Sequence, residues 1–239
     1  MKILAIDCSA VAASCAVLED ERLLAESFIN VKLTHSQTML PMVENMLKAV
    51  KIPLSEIDGF AVTNGPGSFT GIRIGISVVK GLAFAEKKPC VGVSSLEALA
   101  NNILGCNAIV CAAMDARCNQ FYNGIFLNDG CAISRLCEDN ACSGEELEQK
   151  LEEIVSSRDY SSYPVIMVGD GADIFVKNQK KAKFSVASEH LKYARASSAA
   201  RVAVKRFLAD ETCLPENLSP IYLRLPQAER QLGRTLKMN

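Results

Sequence analysis

Short apolar runs and amphipathic stretches alternate along this chain in an order that occurs twice. Lys2–Asp7, Ser14–Leu18 and Leu23–Phe28 are rich in Ile, Val, Leu and Ala and are separated by Ser/Ala-rich or charged turns, which predicts three strands in a meander. A helical period follows over 38–50, then the apolar run Gly59–Thr63, a second helical period over 70–85, and a strand at Pro89–Val93. Ser95–Leu104 adds a helix capped by Ser94 or Ser95. The order then returns. Ala108–Ala113, Gln120–Leu127 and Ala132–Leu136 read as strands, and Ser143–Ser156 as an amphipathic helix opened by a capping box of Ser143 and Glu146. Val165–Val168 is a buried-type strand, Ala172–Gln179 a short helix, Phe184–Ala187 a strand and Ser197–Ala209 a final helix.

Each half is therefore β-β-β-α-β-α-β with a helix after it. Three strands in succession, then alternating helix and strand, predict a mixed sheet with helices packed on it, which is α/β architecture. The two-fold repetition resembles the duplicated ribonuclease-H/actin-like (ASKHA-type) fold. Residues 1–105 form the first half, 106–213 the second with the final helix, and 214–239 a C-terminal tail. No low-complexity linker separates the halves near Gly105, so they are expected to pack together. The tail carries Pro215, Pro220 and Pro226 with Arg224, Arg230, Arg234 and Lys237, which predicts an extended path along the body of the protein or a partner and solvated charges, with help to tRNA approach as the alternative.

Composition narrows the function classes. With 49% hydrophobic and 22% charged residues, the 239-residue chain has the balance of an ordinary soluble globular protein. Its 26 basic and 27 acidic residues lack the basic excess of a protein that holds nucleic acid alone. Asp7 interrupts the N-terminal apolar stretch too early for a signal peptide, and no run reaches the ~20 apolar residues that span a bilayer, so a cytoplasmic, membrane-free protein is expected. Ten cysteines occur without a C-x-x-C pair and with only His35 and His190, which predicts buried thiols and no metal site.

In an actin-like fold, nucleotide phosphates sit on glycine-containing turns after the first strand of each half. The corresponding turns here, Asp7-Cys8-Ser9-Ala10 and Asp115-Ala116-Arg117-Cys118, contain no glycine. Asp7 and Asp115 therefore read as caps of their own turns in preference to a metal-holding pair. Val168-Gly169-Asp170-Gly171-Ala172 has two glycines and reads as tight packing, with contact to an adenosine as the alternative. Cys8 and Cys118 have no neighbouring base to activate a thiolate. No catalytic residue is assigned.

The strongest motif joins a strand to a helix through Gly65, Pro66, Gly67, Ser68, Phe69, Thr70, Gly71 and Arg73. Proline fixes φ, the glycines allow a sharp reversal, and Ser68 or Thr70 can cap the helix. The loop departs from G-x-x-x-x-G-K-[ST], so it reads as a structural turn, with anion binding at the helix N-terminus as the alternative. Together with Ile3–Ser9, His35-Ser36, Leu40-Pro41, Ser94–Leu99, Asp115–Arg117 and Pro220–Arg224, this string resembles the bacterial TsaB (YeaZ) family over nearly the whole chain.

The resemblance implies a non-catalytic subunit of the machinery that installs threonylcarbamoyl on N6 of the adenosine next to the anticodon of tRNA. It implies a TsaD-type paralogue as main partner, a TsaE-type ATPase reached through the complex, and a homodimer when the chain is alone. No cofactor is intrinsic, and an adenine nucleotide is possible at the partner interface. An ATP-dependent kinase or ATPase is the alternative, and a peptidase a less favoured one.

A docking role is also expected from the two helices after the first meander. In the second, Ile72, Ile76, Val79 and Ala83 form one stripe and Gly71, Gly75, Val78, Gly81, Leu82 and Ala85 another. In the first, Met39, Met42, Val43 and Met46 belong to an apolar arc wider than one packing face needs. The predicted partner-binding residues are Met39, Met42, Val43, Met46, Gly71, Gly75, Val78 and Leu82, the alternative being that the two helices bury these faces against each other. His35 and Ser36 are expected just outside a helix that Pro41 begins or kinks.

Overall fold

A computed structural model describes residues 1–31, 33–157, 159–178 and 184–224. Strands β1 (Lys2–Asp7), β2 (Ala13–Glu19) and β3 (Arg22–Ile29) form the meander, followed by α1 (His35–Val50), β4 (Gly59–Gly65), α2 (Phe69–Glu86), β5 (Cys90–Ser94) and α3 (Ser95–Ala100). The second half contains β6 (Asn107–Asp115), β7 (Gln120–Asp129), β8 (Ile133–Ser143), α4 (Gly144–Ser156), β9 (Val165–Val168), α5 (Ala172–Asn178), β10 (Ser185–Val186), α6 (Glu189–Lys192) and α7 (Ala196–Leu208).

Two five-stranded sheets result, in the orders β3-β2-β1-β4-β5 and β8-β7-β6-β9-β10. In each, the first three strands pair antiparallel and the last two join in parallel. The identical order in both sheets is the duplicated actin-like arrangement expected from the repeated element pattern.

The central strands are apolar at nearly every position because helices cover both faces. In β1, Leu4 and Ile6 join Val17, Phe60 and Val62 beneath α1 and α2, whereas Ile3 and Ala5 join Ala16 and Ala61 beneath α7. The second sheet repeats the division, with Ala108, Val110 and Ala112 facing α3, and Ile109, Cys111 and Ala113 facing α4 and α5.

The helices correct the expected domain division. α7, assigned by sequence to the second half, lies on the first sheet, where Ala196, Ala199, Ala200 and Ala203 meet its alanine-lined face. Its N-terminus is fixed there. Ala196 N–H donates to Ser14 Oγ at 2.9 Å, and Glu26 accepts from Ser197 N–H and from Arg195, whose Nη2 lies 2.7 Å away. α3 crosses the other way, its Leu96, Leu99 and Ala100 packing on the second sheet. Element order cannot reveal this exchange, because a helix following a strand can cover either sheet it reaches.

Local boundaries follow their caps. Ser143 and Glu146 make the expected capping box at α4. Ser94 caps α3, which stops at Ala100. α1 begins earlier than its hydrophobic period indicated and takes in His35, with Pro41 inside the helix. β8 runs on to Ser143, beyond the expected Leu136, with an irregular register opposite Asn123–Phe126. Residues 215–217 form a short 3-10 turn in a segment expected to be extended throughout.

Gly71 and Gly81 predict opposite effects on the same helix. A Cβ on Gly71 would stand 2.0 Å from the Cys8 carbonyl oxygen, whereas one on Gly81 would meet open space. Urea unfolding should find Gly71→Ala destabilised by about 1–3 kcal/mol through overpacking. Gly81→Ala should be stabilised by up to ~1 kcal/mol through helix propensity.

Candidate functional site

The C-terminal ends of β1 and β6 face a cleft of about 590 Å³ between the two sheets. Its walls include Ser9 and Ala10 after β1, Asp115 to Arg117 after β6, the loop Pro66–Phe69, and Tyr222 to Arg224. This is where an actin-like fold receives a nucleotide, so the state of each polar group decides what the cleft can do.

Asp7 is fully buried. Its Oδ1 accepts from Ser9 Oγ at 2.7 Å, from Thr63 Oγ1 at 2.5 Å and from Ser9 N–H at 3.4 Å. Its Oδ2 is enclosed without a hydrogen-bond partner. Burial pushes this carboxyl above the ordinary aspartate range, against the opposing pull of the Thr63 and Ser9 donors. Asp7 thus closes its own turn, as the sequence indicated. The next residue, Cys8, is also buried, and desolvation raises its thiol far above the range of a usable nucleophile. His35 Nε2 donates to the Ala10 carbonyl at 2.9 Å and holds the turn from the α1 side.

The second turn is spent in the same way. Asp115 Oδ1 accepts from Arg117 N–H at 2.8 Å, and Ala116 N–H donates to the Gln120 carbonyl at 2.9 Å. Asp115 N–H in turn donates to Asp170 Oδ1 at 3.1 Å. Burial raises the Asp170 carboxyl, opposed by that N–H. The glycines around Asp170 serve packing. A Cβ on Gly169 would lie 2.1 Å from the Ala113 carbonyl oxygen, and Gly171 N–H donates to the same oxygen at 3.0 Å. Among the described residues, no three His, Cys, Asp or Glu side chains gather closely enough to hold a metal ion.

The glycine-proline loop presses onto the first turn. Ser68 N–H donates to the Ser9 carbonyl at 2.7 Å, and Ser68 Oγ caps α2 by accepting from Gly71 N–H at 3.2 Å. A side chain on Gly67 would run into the Ser9 carbonyl at 2.3 Å. Gly65 adopts φ +127° and faces the Ile221 carbonyl, where a Cβ would lie at 2.2 Å. The helix N-terminus is thus applied to a carbonyl of its own chain, and Thr70 and Arg73 are exposed beside it.

Sequence reasoning missed what fills this junction. The segment after Leu218 returns along the loop, with Ile221 N–H donating to the Asn64 carbonyl at 2.7 Å and Asn64 Nδ2 donating to the Ser219 carbonyl at 3.1 Å. Tyr222 stacks on Phe69 at 4.9 Å, and Arg73 lies 3.9 Å over the Phe69 ring while its Nε donates to the Tyr222 hydroxyl at 2.8 Å. Arg224 then crosses to the other lobe and donates to the Ala116 carbonyl at 2.6 Å. It is therefore not a solvated tail charge. Pro226, Arg230, Arg234 and Lys237 lie outside the described residues.

The expected docking face also needs correction. Met39, Met42, Val43 and Met46 are buried in the chain's own core with Gly71 and Gly75. Gly75 faces the Val62 and Cys8 side chains, so a leucine there would strike the core. The wide apolar arc of α1 is satisfied by α2, β2 and β3 together. Val78 and Leu82 are half-buried, while Leu40 is 50% and Phe84 74% exposed.

Comparison with known proteins agrees over nearly the full length. A family model described as TsaD: tRNA N6-adenosine threonylcarbamoyltransferase matches residues 23–232. The tRNA threonylcarbamoyladenosine biosynthesis protein TsaB of Escherichia coli (strain K12) is 33% identical over 236 residues, covering 97% of this chain and 98% of that one. TsaB of Bacillus subtilis (strain 168) is 29% identical over 235 residues, 96% of each chain. The solved structure of YeaZ from Pseudomonas aeruginosa superposes with a TM-score of 0.79 at 27% identity, covering 93% of this chain and 99% of that one. With matches of this extent joined to the repeated sheet order and the glycine-proline loop, the chain belongs to the TsaB (YeaZ) family of TsaD-like tRNA threonylcarbamoyladenosine biosynthesis proteins.

Proposed function

We propose that this chain is a non-catalytic supporting subunit that docks a TsaD-type transferase acting on N6 of the adenosine next to the anticodon of tRNA. In this reading ATP hydrolysis falls to a TsaE-type partner reached through the complex, and tRNA is met only through the complex. The chain pairs with itself when alone and works in the cytoplasm. An adenine nucleotide at the junction with the partner is the one cofactor this reading allows.

Family membership supports the pathway. The observation that supports the non-catalytic part is that Asp7 Oδ1 and Asp115 Oδ1 are bonded within their own turns, neither turn carries a glycine, and the neighbouring Cys8 thiol is buried, so the described residues show no activated nucleophile in the cleft. Docking is assigned to what α1 and α2 leave outside: Leu40 and Phe84, with the half-buried Val78 and Leu82 between. Gly81, with open space around it, lets a partner helix approach closely.

Reconstitution with purified transferase, ATPase partner, threonylcarbamoyl-adenylate and tRNA tests both parts. Omitting this chain should remove most of the product, and Asp7→Asn should restore the wild-type rate. A loss of about 10²-fold or more would make Asp7 an acid–base group and overturn the reading. Asp7 also predicts a pH effect. A buried carboxyl held above its unfolded-state value binds its proton more tightly when folded, so its stabilising contribution is present below the unfolded value and fades as pH rises through the folded one. Urea midpoints for wild type minus Asp7→Asn should therefore grow as the pH is lowered from neutral. At the docking face, Phe84→Arg should weaken transferase binding by about 30-fold, the ~2 kcal/mol of an interface hot spot, with unfolding unchanged within ~0.5 kcal/mol. Unaltered affinity in titration calorimetry would remove the end of α2 from the interface.

A further inference from the structure

β5 closes one side of the first sheet, yet its edge is not open. Cys90 at its start pairs with Cys213 in an isolated antiparallel bridge, each N–H donating to the other's carbonyl at 2.8 Å. Residues opposite each other in such a doubly bonded pair stand about 5.5 Å apart at Cα and project from the same face. That separation falls within the roughly 4.4–6.8 Å Cα range of a disulfide, but the Cβ atoms of a hydrogen-bonded pair stand about 5.5 Å apart against the ~3.5–4.5 Å of a bridge, so the bond closes only as the Cys213 segment shifts toward β5. Both side chains do share one face, since Cys90 belongs to the apolar cluster under α1 and α2 and Cys213 packs against it. Cys90 is fully enclosed and Cys213 half-buried, so solvent reaches the pair from the Cys213 side.

Cys213 is also the root of the segment that enters the cleft. Beyond it, Lys80 Nζ donates to the Glu216 carbonyl at 3.1 Å, Asn64 bonds Ser219 and Ile221, and Arg224 reaches Ala116 on the second lobe.

We propose that Cys90 and Cys213 form a redox latch, closed by a low-molecular-weight disulfide such as glutathione disulfide, which pins the root of the interlobe strap to the sheet edge. The Cys213 thiolate attacks one sulfur of the reagent, breaking its S–S bond and releasing one glutathione thiolate. The Cys90 thiolate then attacks the Cys213 sulfur of the mixed disulfide and releases the second. Two protein thiols lose two protons and two electrons, and the reagent takes up both as two thiols. Burial pushes the Cys90 thiol up to about 12. The second step is accordingly slow at neutral pH and quickens as pH rises.

The full-length chain is incubated with glutathione disulfide at several alkaline pH values, quenched with an alkylating agent and mapped by mass spectrometry. The expected result is a linked peptide pair joining Cys90 to Cys213 without added glutathione, absent in Cys213→Ser and reversed by dithiothreitol. Amide hydrogen exchange at Ile221–Arg224 should be slower in the linked form than in the reduced form. Cys213 ending only as a mixed disulfide, Cys90 linked to some other cysteine, or both thiols remaining alkylatable would each overturn the latch. Unchanged exchange in the linked form would overturn its action on the strap.

Discussion

The approach of one loop to one turn sets the geometry of the first lobe. The carbonyl oxygens of Cys8 and Ser9 stand where side chains of residues 71 and 67 would begin, at 2.0 and 2.3 Å from the Cβ positions. Only glycine permits that contact, and the Ser68 N–H bond to Ser9 depends on it. Once the loop is seated, α2 is aimed across the sheet so that Ile72, Ile76, Val79 and Ala83 enter the core shared with α1. The same seating leaves Gly65 open to the Ile221 backbone. Helix direction, core closure and attachment of the C-terminal strap are thus consequences of a single backbone-to-backbone contact.

The lobes are coupled by exchanged helices as much as by the strap. α7 lies on the first sheet and α3 on the second, and the two helices meet between the sheets. Their contact adds polar bonds to the packing of Ala98 among the α7 alanines. Ser198 Oγ donates to Asn102 Oδ1 at 2.6 Å, Asn102 Nδ2 donates to the Leu191 and Tyr193 carbonyls at 2.7 Å, and Arg206 reaches Glu97 at 2.6 Å. Lobes that open and shut around a nucleotide have to slide such helices past one another. Here the Ser198–Asn102 and Arg206–Glu97 bonds join a helix on the first sheet to the helix segment on the second, so the arrangement favours a rigid body over a hinged one.

The fold was legible because its signals are local or periodic. Near-continuous apolar runs such as Lys2–Asp7 and Val165–Val168 mark strands covered on both faces, and Ser143 with Glu146 marks a helix start by a hydrogen-bond pattern that needs no tertiary partner. The sites were less legible. The surplus apolar arc on α1 suggests a docking face, but Met39 and Met46 lie in the core with β2 and α2, a contact that counting one neighbour per helix underestimates. Gly71 and Gly75 carry the close-packing signal correctly, yet the close neighbour is the chain's own Cys8, and a sequence does not say which backbone a glycine admits. The strap was hidden for a similar reason. Its two anchors, Ile221 N–H to the Asn64 carbonyl and the Arg224 guanidinium to the Ala116 carbonyl, each join residues more than a hundred positions apart, and both acceptors are main-chain oxygens that carry no side-chain signature.

An actin-like cleft works as an enzyme by offering unsatisfied donors and acceptors that a ligand completes. In this chain several of those positions are bonded from within, while Asp7 Oδ2 stays enclosed without a partner. Asp7 takes Ser9 and Thr63, Asp115 takes Arg117, the start of α2 takes the Ser9 carbonyl, and Arg224 takes Ala116. A ligand that displaced the Asp7 bonds would leave buried partners unsatisfied at a cost of about 1–3 kcal/mol each, whereas the bond of Asp115 to Arg117 N–H is exposed and costs less to open. The bond from Arg224 to the Ala116 carbonyl and the loop contacts to Ser9 and Ile221 also tie the two lobes in one relative orientation, and that fixed frame supports the role of supporting subunit proposed above.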